Sequence, residues 1–93
     1  MDLLVDDNNE YITVKDVADI LNVHNVTATT YLNGYRFTKY ATSIKVNNRP
    51  KKVYEYSLDF LEELQEFYKI LHGFCNKRLN KIIEEKRARD EIN

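Results

Sequence analysis

Ninety-three residues make one domain, or one domain with an appended helix, and leave little room for a catalytic cavity beside a modest core. With 43% hydrophobic residues there is no apolar run long enough to span a bilayer. The acid-rich start MDLLVDDNNE lacks the bases of a secretion signal, and the single Cys75 cannot form an internal disulfide, so a cytoplasmic protein without a membrane partner is expected. A net charge of −1 argues against bulk attraction to nucleic acid, unless the charge is unevenly distributed.

In chain order, residues 1–10 are polar apart from Leu3, Leu4 and Val5, and are expected to be a flexible N-terminus. Tyr11 and Ile12 suit a short strand. Val14, Val17, Ala18 and Leu21 then fall on one face of a first helix. Thr13 followed by Asp16 is a helix-start signal, because the hydroxyl can accept a first-turn amide and the carboxylate meets the positive end of the helix dipole. Asn22 is a plausible exit, since Asn tolerates left-handed angles. A second helix runs from Asn25 to Asn33. Val26, Ala28, Tyr31 and Leu32 are assigned to its inside and Thr27, Thr29, Thr30 and Asn33 to its outside, with Gly34 ending it. Two helices around so short a turn form a helix-turn-helix, whose second helix can enter a DNA major groove.

From Tyr35 to Tyr56 the residues suit strands. Asn47-Asn48-Arg49-Pro50 reads as a hairpin tip, because Asn accepts turn angles and Pro lacks a donor. Charge is strongly segregated here. Residues 1–35 hold six acids and one Lys, residues 36–52 six bases and no acid, and residues 53–93 nine acids and seven bases. A basic hairpin directly after a helix-turn-helix makes a wing; the plainer alternative is a surface hairpin kept soluble by its lysines.

Ser57 caps the next element, and Leu58, Leu61, Leu64, Phe67, Tyr68 and Leu71 keep helical spacing. Gly73 interrupts, and Phe74, Cys75, Leu79, Ile82 and Ile83 resume an apolar stripe. Either one long C-terminal helix runs from Leu58 to about Arg89, or two helices meet at Gly73. The steps of three and four suit a coiled-coil seam, and such a stripe either folds back on its own chain or meets a second copy; the second is expected, with those five residues forming a homodimer. The expected organisation is a flexible 1–10, a winged helix-turn-helix domain over 11–72 and a helical, dimerising extension over 73–93. The fold class is α+β, mainly α.

No catalytic set is visible. His24, His72 and Cys75 lack zinc-ligand spacing, and Glu62, Glu63 and Glu66, or Glu84 and Glu85, suit solvated helix faces. No metal or cofactor is expected, and no enzyme. Most of the seven tyrosines suit core and rim positions; Tyr35 and Tyr40, flanked by bases, are kept as contacts.

The segment YITVKDVADILNV followed by TATTYLNG resembles the winged helix-turn-helix of the MerR and excisionase-like DNA-binding group. The matching residues are Tyr11-Ile12, Asp16-Val17-Ala18, Leu21, Val23, Thr27 and Tyr31-Leu32, and VNNRPKKVYEYSLDFLEEL is similar to the group's basic hairpin and following helix. The resemblance covers roughly Tyr11 to Leu64. It implies a sequence-specific binder of double-stranded DNA, a small transcriptional regulator or a recombination or excision accessory factor. The group's second helix usually displays arginines; here Thr and Asn stand instead, with His24 and Asn25 at its start. The expected DNA contacts are therefore His24, Asn25, Thr27, Thr29, Thr30 and Asn33 on the helix, and Arg36, Lys39, Lys45, Asn48, Arg49, Lys51 and Lys52 on the wing and its approach. The arginine-poor helix and acidic flanks leave open a protein–protein module whose partner is a recombinase, a partition motor or an inhibited enzyme.

Overall fold

Thr13 starts the first helix in a computed structural model that describes residues 3–6 and 9–92. Those residues form an α+β fold, more helical than extended, with five helices and a four-stranded antiparallel sheet. Contacts divide the chain into two units, Met1–Tyr56 and Ser57–Asn93. No helix among the described residues is long and apolar enough to cross a membrane.

In the first unit, helix α1 spans Val14–Leu21. The Thr13 hydroxyl accepts the Asp16 amide at 3.2 Å. At the other end Asn22 is left-handed, with φ 58° and ψ 49°. Its amide donates to the Asp19 carbonyl at 3.3 Å and the Val23 amide to Ala18 at 3.0 Å. These paired bonds satisfy carbonyls that the helix end would leave open and turn the chain toward the next helix. Helix α1 buries Val17, Ala18, Ile20 and Leu21, so Ile20 joins the expected stripe.

Helix α2 spans Asn25–Leu32 and buries Ala28 and Leu32. Val26, expected inside, is 78% exposed. The reason is angular: at about 100° per residue, Val26 lies about 200° from Ala28 and cannot share its face. Thr27, about 100° from Ala28, is half-buried rather than outward. A short helix α3, Tyr35–Thr38, replaces the strand expected to begin at Tyr35. The Phe37 amide donates to the Gly34 carbonyl and the Tyr40 amide to Phe37, each at 3.0 Å, and Phe37 is fully buried. Burial of that ring overrides the local strand preference.

The sheet has the order β1-β2-β4-β3, with β1 at Leu4–Asp6, β2 at Asn9–Ile12, β3 at Ala41–Val46 and β4 at Arg49–Glu55. The expected strand at Tyr11–Ile12 is the end of β2. Residues 4–6, 9 and 10, expected to be flexible, are paired: Leu4 opposes Tyr11 and Val5 opposes Glu10. Residues 1, 2, 7 and 8 of that segment lie outside the described residues. Strand β2 is anchored in turn on β4, with Tyr11 opposite Glu55 and Ile12 opposite Tyr54. A three-residue strand carries almost no local signal, and its partners here supply the order.

The second unit is a pair of helices. Helix α4 spans Leu58–His72, with the Ser57 hydroxyl accepting the Phe60 amide at 3.2 Å, and ends at Gly73 with φ 80°. Helix α5 spans Lys77–Ile92. The long C-terminal helix is therefore two helices broken at Gly73. Asn76 restarts the chain by accepting the Leu79 amide on Oδ1 at 3.0 Å. Gln65, buried on α4, holds that restart: its Nε2 donates to the Asn76 carbonyl at 2.9 Å, and its Oε1 accepts the Asn76 amide at 2.8 Å. Arg87 reaches Glu62 at 2.7 Å. With α5 folded against α4, Leu79 and Ile83 are buried within a single chain, the fold-back arrangement of the expected stripe. Of the five seam residues Phe74 and Cys75 are exposed and Ile82 is half-buried. Phe60, absent from the expected stripe, is also fully buried.

Candidate nucleic-acid interface

The expected contact residues all fall in the first unit, in three places. His24, Asn25, Thr27, Thr29, Thr30 and Asn33 lie on α2 or at its ends. Arg36 and Lys39 lie on α3 or at its end rather than on a strand. Lys45, Asn48, Arg49, Lys51 and Lys52 lie on the β3–β4 hairpin.

Helix α2 has a continuous exposed face of Val26, Thr29, Thr30 and Asn33, at i, i+3, i+4 and i+7. The Thr29 hydroxyl donates to the Asn25 carbonyl at 2.8 Å and the Thr30 hydroxyl to the Val26 carbonyl at 3.0 Å. Both hydroxyl protons are thus spent on the helix backbone. What the face offers outward is the isopropyl of Val26, two threonine methyls and oxygens able to accept, and the Asn33 amide. It carries no charge. His24, exposed at the helix start, makes no capping bond, and the first-turn amides have no side-chain acceptor from it. Tyr35 is 88% exposed, whereas Tyr40 is buried and cannot stack on a base, so only one of the two retained tyrosines is accessible.

The hairpin tip is tighter than a four-residue turn. Asn47 and Asn48 both take positive φ, 54° and 65°, and Val46 opposes Arg49. Two left-handed residues between paired strands make a type I′ turn, whose twist matches that of the strands. Asn48 is thereby committed to the turn. Lys45 opposes Pro50, and in a two-residue hairpin that is the first non-hydrogen-bonded pair. The proline nitrogen therefore faces away from β3, toward an edge that β2, paired only at Tyr54 and Glu55, does not reach.

Strand alternation then distributes the charge. Arg49 and Lys51 share a face with Val46, Ile44 and Val53, while Lys45 and Lys52 share the other with Pro50 and Tyr54. Lys52 Nζ lies over the Tyr54 ring at 5.8 Å, and Lys39 Nζ over the Tyr40 ring at 5.2 Å. These contacts steady the two ammonium groups without neutralising them. Lys45, Arg49, Lys51 and Lys52 are all exposed, and no carboxylate forms an ion pair with them among the described residues. The hairpin is thus basic on both faces.

Sequence reasoning missed Val26 as an outward residue; the Ala28–Leu32 spacing was the signal that could have placed it. No three His, Cys, Asp or Glu side chains gather in a metal-holding group among the described residues. No protein-family model, curated protein or solved structure matches the chain.

Proposed function

We propose that the first unit is a winged helix-turn-helix and that the protein is a sequence-specific binder of double-stranded DNA. Its role would be that of a small regulator or a recombination accessory factor. One observation carries the reading: an exposed hairpin, basic on both faces and without acids from residue 36 to 52, follows the α1–α2 pair within one unit. A groove in duplex DNA has phosphates along both walls, so a hairpin charged on both faces suits it better than one charged on a single side. The motif resemblance to the MerR and excisionase-like group supports the same assignment. In this reading α2 enters the major groove with Thr29, Thr30 and Asn33 toward base edges. The uncapped amides at its start face a phosphate. Lys45, Arg49, Lys51 and Lys52 grip the backbone, with Arg36 and Lys39 beside them.

Two copies act together through the second unit, in the cytoplasm. Exposed Ile70, Leu71 and Phe74 support this, with the Phe74 ring edge-on to Tyr68 at 5.8 Å. Replacing Arg49, Lys51 and Lys52 together by Ala tests the DNA reading, with duplex retention measured by gel shift. Retention should be lost while the fold, followed by circular dichroism, is kept.

A second reading is that the same fold binds a protein. The uncharged α2 face with exposed Val26, and the exposed Tyr35, favour it. Under it, the triple substitution leaves partner binding largely intact, and the unsubstituted protein enriches no sequence from random duplexes.

A further inference from the structure

The face of α2 indicates which base pairs it would read. We infer that α2 recognises a half-site of A·T pairs by packing Val26, Thr29 and Thr30 on thymine methyl groups, with Asn33 on adenine; this rests on the proposed entry of α2 into a DNA major groove. Three features of the chain converge on that occupant. First, Val26 is 78% exposed on the outward face, so its isopropyl group is available to a partner there. Second, the Thr29 and Thr30 hydroxyls donate to the Asn25 and Val26 carbonyls, which leaves their methyls and acceptor lone pairs for a partner. Third, the outward face contains no Arg or Lys.

Guanine offers only acceptors in the major groove and is read chiefly by Arg or Lys, so this face is poorly equipped for it. Thymine alone of the four bases carries a C5 methyl there, and adenine presents the acceptor and donor pair that an Asn amide matches. The charge needed to hold a polyanion comes from the hairpin bases. An uncharged reading face in the same unit as an acid-free basic segment fits a groove lined by thymine methyls and walled by phosphates, which offers a match for both the methyls and the cations.

The test begins with selection of bound sites from random duplexes, using the full-length protein. The selected duplex is then remade with deoxyuridine in place of single thymines, which removes only the methyl. Affinity should fall roughly fourfold at each contacted thymine, the effect of one lost buried methyl. Val26→Ala, at an exposed position, should weaken the parent duplex by a similar factor and abolish the deoxyuridine effect at one position. Thr29→Val, which keeps a methyl and removes the hydroxyl, should retain affinity, and Thr29→Ser should lose it. Selected half-sites centred on G·C pairs, or tight binding indifferent to deoxyuridine, would overturn the inference and leave DNA binding standing. Absence of any enriched duplex would overturn both, and would give the α2 face to a protein partner.

Discussion

At the scale of single residues, backbone angles and caps carry most of the local structure. Asn22, Asn47 and Asn48 hold the left-handed positions that end α1 and close the hairpin, and Gly73 holds the one that ends α4. A residue with a β-carbon pays about 1–2 kcal/mol there, and Asn is the side chain that tolerates it best. His24 is the informative exception, because it stands at a helix start without capping it. His24→Asp supplies the missing acceptor for the first-turn amides. The expected gain is about 1 kcal/mol, which in a chain of this size raises the thermal midpoint by roughly 4–8 °C. The same carboxylate sits where a phosphate is proposed, so duplex affinity should fall as stability rises. Thermal unfolding and gel shift on one sample check both signs. A variant that gained both would argue against α2 lying on DNA.

At the scale of elements, the second unit shows how few atoms decide the path of a helix pair. The Gln65 side chain makes the bonds to Asn76 that a neighbouring backbone would make. Gln65→Ala strips both and leaves a peptide group without partners, at a cost of about 1–3 kcal/mol. Amide hydrogen exchange should then quicken through Lys77–Ile92 while α1 and α2 keep their rates, since local opening need not spread between cooperative units. Leu79→Ala removes a fully buried side chain from the same unit and should cost about 2–5 kcal/mol in a denaturant titration. A near-zero cost would mean that α5 spends its time away from α4. In the hairpin the equivalent device is the Asn47-Asn48 turn, which sets the register and so sends Lys45 and Lys52 to one face and Arg49 and Lys51 to the other.

At the scale of the whole molecule, the relevant quantity is charge placement rather than net charge. A chain at −1 binds a polyanion only if a local basic surface outweighs the rest. If Lys45, Arg49, Lys51 and Lys52 each displace one counterion, log K should fall against log salt with a slope of roughly −4 for one protomer and −7 for two. The slope therefore reports stoichiometry as well as binding. Sedimentation of the free protein supplies the independent count, and Phe74→Glu, at an exposed position, should shift a dimer to monomer without unfolding it. A slope near zero would remove the electrostatic basis of the DNA reading.

The expected site divides between what neighbours in sequence can decide and what they cannot. The caps at Thr13 and Ser57, the exit at Asn22, the hairpin between β3 and β4 and the acid-free run from Arg36 to Lys52 were all legible, because each depends on groups within a few residues. Tertiary structure alone decided that Leu4–Asp6 is a strand, since its pairing runs through β2 to β4. The outward turn of Val26 was legible in principle, because it stands two residues from Ala28 and the two cannot share a helix face; tertiary structure decided that Ala28 and Leu32 are the inside. It also folded α5 onto α4, since a broken stripe reads the same whether a second helix of the chain or a second copy covers it. Burial is a property of partners distant in sequence, whereas a cap or turn is a property of the local chain.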